Sequence, residues 1–178
     1  MYVLPPEATE AEFRELLAYW QSKLLPGRLP GRQHIDPTEL QPRHLSQLLL
    51  LEVIEPAVPK LRRRYRFRLA GTGFTAIAGR DVTGHYYDEI GGSERMAPVG
   101  KAFDLVVERK VPVFLSDRLG VATREHNWMK RLGLPLARDG EQVDMILAVW
   151  MAEHRSLADL ARGDREPAAG EPRVLERR

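Results

Sequence analysis

Apolar residues recur along this chain in two rhythms. The first is helical. Phe13, Leu16, Leu17, Trp20 and Leu24 stand at i, i+3, i+4, i+7 and i+11, which predicts one apolar stripe on a helix over roughly 10–24. Thr9 through Glu12 has the form of a capping box at its start. Met96, Val99, Phe103, Val106 and Val107 repeat the rhythm and predict a second, longer helix over 94–109. The other rhythm is that of strands. Leu48–Ile54 is a nearly continuous apolar run of strand length. From Arg64 the period is two, with Tyr65, Phe67 and Leu69 pointing one way and Arg64, Arg66 and Arg68 the other. Further strands are predicted over 111–115, 127–136 and 142–151, the last apolar on both faces and therefore central and covered on both sides.

Glycines mark where the chain leaves the sheet. Gly71-Thr72-Gly73 follows the arginine strand, the apolar segment Phe74–Ala78 ends at Gly79, and Gly84 precedes Tyr86-Tyr87. A strand, a glycine corner and short helical pieces describe a flap folding back over one sheet face. The whole order predicts an α+β domain, a five-stranded antiparallel sheet with a helical flap and an N-terminal amphipathic helix. Residues 1–35 form that helix and its linker, 36–155 the sheet domain, and 156–178, with mixed charges, Gly and Pro, a disordered or partly helical tail. The leading helix either packs on the domain or pairs with its copy in a dimer.

Composition narrows the function. With a net charge of +2 in 178 residues, nothing global calls for nucleic acid or an anionic membrane. The absence of cysteine excludes disulfides, thiolate metal sites, iron–sulfur clusters and cysteine nucleophiles. No secretory leader and no apolar stretch of membrane-spanning length is present, so a soluble cytoplasmic protein is expected.

Candidate chemistry is sparse. Arginines interleaved with aromatics from Arg62 to Arg68 suggest a single-stranded nucleic-acid platform, but alternation puts rings and guanidinium groups on opposite faces. The histidines at 34, 44, 85, 126 and 154 form no metal-ligand pair. Asp88, Asp104 and Asp144 are the carboxylates nearest apolar stretches and the only candidates for acid–base work in a pocket; no enzymatic activity is expected. What remains is a pocket between flap and sheet lined by Phe67, Phe74, Ile77, Tyr86, Phe103, Val113, Trp128 and Met145. Tyr86 and Trp128 carry the polar tips best suited to a ligand. The same residues would equally fill a solid core.

The sequence resembles a known family. Arg66-Phe67-Arg68-Leu69-Ala70-Gly71-Thr72, followed by Asp81-Val82-Thr83-Gly84, with Trp20 in a leading helix, Pro30 to Arg32, Asp36-Pro37 and Glu52-Val53 before it, is similar to the small single-domain PAS proteins of alphaproteobacteria. The resemblance covers roughly 13–152. It implies a five-stranded sheet and a sensory or interaction role in signalling without catalysis, with a signalling protein as partner. A small apolar ligand is compatible with it. Haem is not expected, since the 94–109 helix has no His, and cysteinyl–flavin chemistry lacks its Cys. A nucleic-acid-binding module using Arg62–Arg68 is the alternative.

Overall fold

The two strands with apolar residues on both faces lie side by side in the middle of the sheet. They are β1 (Leu48–Ile54) and β5 (Met145–His154), antiparallel, with Leu48 opposite Val149 and Glu52 opposite Met145. β2 (Arg64–Ala70) flanks β1, while β4 (Asn127–Leu136) and β3 (Val113–Arg118) extend the other side. The computed structural model describes residues 1–57, 62–91, 93–118, 127–154 and 170–177, with side chains for all of these but 91, 93–95, 118, 127, 128, 153 and 154.

The five expected strands are joined by a sixth, β6 (Arg173–Val174), giving the order β2-β1-β5-β4-β3-β6. It comes from the stretch expected to be a loose tail. Residues 156–169 of that stretch lie outside the described residues, but 170–177 are held firmly. Leu175 is buried and its N–H donates to the Pro112 carbonyl. Val3 N–H donates to the Glu176 carbonyl, and the Arg177 guanidinium lies 4.8 Å from the Tyr2 ring centre. One buried leucine and a two-residue strand are too short a signal to stand out among mixed charges.

Helices cover both faces of the sheet. On one side lies α1 (Ala11–Ser22), its stripe of Phe13, Leu16, Leu17 and Trp20 buried against Leu132, Leu134 and Val149. Phe13 meets Phe114 edge-on at 5.5 Å, and the Trp20 indole N–H donates to the Pro135 carbonyl at 2.9 Å. Of the two expected uses of the stripe, packing on the domain is the one seen, and residues from Tyr2 to Ile35 share a core with the sheet. The expected Thr9 cap does not form. Glu10 is the N-cap residue and makes no side-chain cap bond; its carboxylate instead receives a 2.8 Å hydrogen bond from buried Lys130 on β4. A short helix, α2 (Pro42–Leu45), leads into β1.

The other face is covered by α3 (Thr72–Ala78), α4 (Asp88–Gly91) and α5 (Ser93–Arg109). Gly71 and Gly73 place this cover. Both have their N–H groups bonded to carbonyls of Leu48 and Ser46, and a Cβ on Gly71 would lie 2.4 Å from the carbonyl oxygens of Leu45 and Ser46. The corner needs glycine for close backbone approach, since the φ of Gly71 is an ordinary −62°.

The alternation expected for β2 holds only to Phe67. A bulge opposite Leu50–Leu51 leaves Arg68 unpaired, so that Leu69 stands opposite Leu50 and Ala70 opposite Leu49. Leu69, expected beside Phe67, is 46% exposed on the arginine side, and Ala70 packs into the core in its place.

Candidate ligand site beneath the helical cover

The face under α3–α5 is built from side chains that strand alternation sends one way: Leu49 and Leu51 from β1, Tyr65 and Phe67 from β2, Ile146, Ala148 and Trp150 from β5. The cover adds Phe74, Tyr87 and Phe103. Six rings run in an unbroken chain across it, Trp150–Phe74–Phe67–Tyr87–Phe103–Tyr65, with centroid separations of 5.1 to 5.9 Å. These lie in the range where tilted and edge-on ring pairs attract.

One charged pair breaks this apolar face. Arg131 of β4 and Asp117 of β3 form an ion pair, their side chains 12% and 8% exposed. Burial pushes the Asp117 carboxyl above the usual aspartate value while Arg131 pulls it down. Arg131 stands cross-strand from Leu115 on one side and from Trp150 on the other. The Trp150 indole N–H and the Tyr87 hydroxyl are buried and have no hydrogen-bond partner among the described residues. Burial holds the Tyr87 proton well above the usual tyrosine range, with Arg131 and Asp117 close enough to act on it in opposite directions. At neutral pH it is a hydroxyl donor.

The space left here is small. A cavity of about 10 Å³ lies between α5, β3 and β4, touched by Phe103, Val106, Val113, Leu115, Arg131 and Gly133, room for about one water molecule. α5 sits close above it: a Cβ on Gly133 would lie 3.2 Å from a methyl of Val106.

Of the predicted lining residues, Phe67, Phe74, Phe103 and Val113 meet in this core and Ile77 packs half-buried at its margin. Tyr86 does not join them. Its ring lies outside, half-buried beneath the Arg64 guanidinium at 3.6 Å, and its neighbour Tyr87 takes the inner place. Met145 belongs to the opposite core with α1, because Ile146 beside it faces the cover. The Trp128 side chain lies outside the described residues. Arg131, Asp117, Tyr87 and Trp150 are not among the predicted lining residues. The one available signal in the sequence is an arginine alternating with Met129 and Gly133, a lone charge on an otherwise apolar strand face.

The other candidates fall at the surface. Asp88 pairs with Arg64, Asp104 accepts from the Tyr65 hydroxyl, and Asp144 accepts the Arg138 N–H, with side-chain exposures of 50%, 43% and 40%. None supplies a carboxylate inside the pocket. The arginine strand is largely neutralised: Arg63 meets Glu55, Asp104 and Glu108, Arg64 meets Asp88 and Glu89, and Arg66 meets Glu52. A nucleic-acid platform needs its cations free for phosphates. His85 is an exposed turn residue 3.8 Å from Glu89. Among the described residues no group of three or more His, Cys, Asp and Glu is placed to hold a metal ion. No helix among them is long and apolar enough to cross a membrane.

No curated protein matches the chain. The family model of the PAS domain matches residues 8–151, from the turn before α1 into β5, and the chain belongs to the PAS domain family.

Proposed function

We propose that this PAS domain is a non-catalytic cytoplasmic sensory and interaction module of bacterial signalling. A small, largely apolar molecule held beneath α3–α5 shifts that cover against the sheet, and a partner protein reads the shift. The observation that carries this is the pair of orphaned donors beside the buried Arg131–Asp117 pair. A core that served packing alone would place apolar groups there, because each unsatisfied buried polar group costs roughly 1–3 kcal/mol. A ligand with acceptor atoms recovers that cost. The cavity of about 10 Å³ is too small for such a ligand, so binding requires the cover to move, and the movement is the signal. Relay through α1 runs through its packing on β4 and β5. Haem and cysteinyl–flavin chemistry form no part of the proposal.

Denaturing and native mass spectrometry with an absorption spectrum on freshly purified protein test it. A non-covalent small-molecule adduct, lost on denaturation, is the expected result. Protein with no adduct, whose cover never opens, retains only the interaction role.

A further inference from the structure

The site has an excess of donors and a balanced charge. Arginine carries five N–H donors, and among the described residues the hydrogen bond from Arg131 goes to Asp117. The Tyr87 hydroxyl and the Trp150 indole N–H add two donors without partners. Against these stands the Asp117 carboxylate, the acceptor paired with Arg131. Charge is already cancelled between Arg131 and Asp117, so an incoming anion would leave one buried negative charge uncompensated, which is costly at this depth. A pure hydrocarbon would leave the donors as they are. A carbonyl oxygen can accept from one of these donors and brings no charge, and the aromatic chain from Trp150 to Phe103 accepts the rest of such a molecule.

We infer that the site takes a neutral apolar molecule bearing a carbonyl acceptor, such as an aryl ketone, in preference to an acid or a hydrocarbon. This rests on the sensory reading above and adds the chemistry of the ligand to it.

Three probes of similar size separate the possibilities on the full chain: acetophenone, benzoate and ethylbenzene. The chain has three tryptophans, so the indole N–H signal of Trp150 is identified in a proton–nitrogen NMR spectrum by its loss in Trp150→Phe. Acetophenone is expected to move that signal in a saturable titration, with benzoate and ethylbenzene weaker by about tenfold. Tyr87→Phe is expected to weaken acetophenone by about three- to tenfold, the worth of one hydrogen bond. If that variant does not fold, the ranking of the three probes on the wild type still decides. Benzoate binding best overturns the inference, because the site then reads anions. Ethylbenzene binding as well as acetophenone overturns it too, because the donors then read nothing. Silence toward all three, while hydrogen exchange shows the cover opening, overturns the ligand chemistry and leaves the sensory reading standing. Silence with a cover that never opens removes both.

Discussion

The Tyr65 hydroxyl donates to Asp104 at 2.6 Å, tying the edge strand β2 to the long helix α5. Arg63 reaches the same carboxylate from the loop before β2. Burial and the bond to Asp104 hold the Tyr65 proton well above the usual tyrosine range, so the bond persists through neutral pH. The cover is also stitched to β2 by its backbone, with Tyr87 N–H donating to Tyr65 O and Phe67 N–H to His85 O. Tyr65→Phe removes only the first attachment. It is expected to cost about 1 kcal/mol and to speed amide exchange in α5 more than in β4 and β5. Equal acceleration everywhere would show that the bond stabilises the domain without holding the cover.

Asp117 and Arg131 make a second prediction. Asp117→Leu leaves a buried guanidinium without its partner and is expected to destabilise by about 3–5 kcal/mol. Replacing both, Asp117→Leu with Arg131→Met, is expected to be near neutral or stabilising in denaturant melts, while abolishing ligand response. The pH dependence has a definite sign. Burial holds the Asp117 carboxyl above its usual unfolded value, so the folded protein binds the extra proton. Its contribution is fully present below that value and is lost as pH rises through the raised folded value. Wild type is therefore expected to lose stability relative to the double variant across that window, and a constant difference would contradict the buried assignment.

Gly71 and Gly79 separate two reasons for glycine. Gly71→Ala places a Cβ 2.4 Å from two backbone carbonyl oxygens and is expected to cost about 1–3 kcal/mol or more through displaced backbone. Gly79 ends α3 at φ 71° with open space around it. Gly79→Ala is expected to cost only about 1 kcal/mol, the price of a left-handed residue. Thermal melts of both variants check the order.

Residues 1–35 are predicted to be indispensable. Their removal uncovers Leu132, Leu134, Leu147 and Val149 and leaves the Pro135 carbonyl without the Trp20 indole. A chain starting at residue 36 is expected to aggregate or remain unfolded by circular dichroism, and a stable monomer would show that the α1 core is dispensable. Trp20→Phe, which loses the hydrogen bond and leaves a small cavity at this fully buried position, is expected to cost about 1–3 kcal/mol or more.

The strands that were legible in the sequence are those whose burial leaves a pattern. β1, β2 and β4 lie where apolar runs and alternation put them. β5 begins at Met145, three residues later than expected, because Asp139 accepts the N–H groups of Glu141 and Gln142 and prolongs the hairpin turn. The β2 bulge was invisible, since an extra residue in a pairing alters no composition. Of the site, the apolar lining was readable and the polar centre was not. Tyr86 and Tyr87 differ by one residue, and the ladder to β2 that decides which ring turns inward is a tertiary contact. Arg131 stands between two residues of the opposite core, Lys130 and Leu132, so its inward position required the strand to be read on its less apolar face.

Hydrogen exchange of the backbone amides, with and without acetophenone, tests the central claim that α3–α5 is a cover able to open over Arg131. α3 and α5 are expected to exchange through an opening of lower free energy than the β1–β5–β4 core, and the ligand to slow them selectively. If the cover and the sheet core exchange together, only through global unfolding, and no ligand alters that, the face beneath α5 is a closed core and holds no ligand.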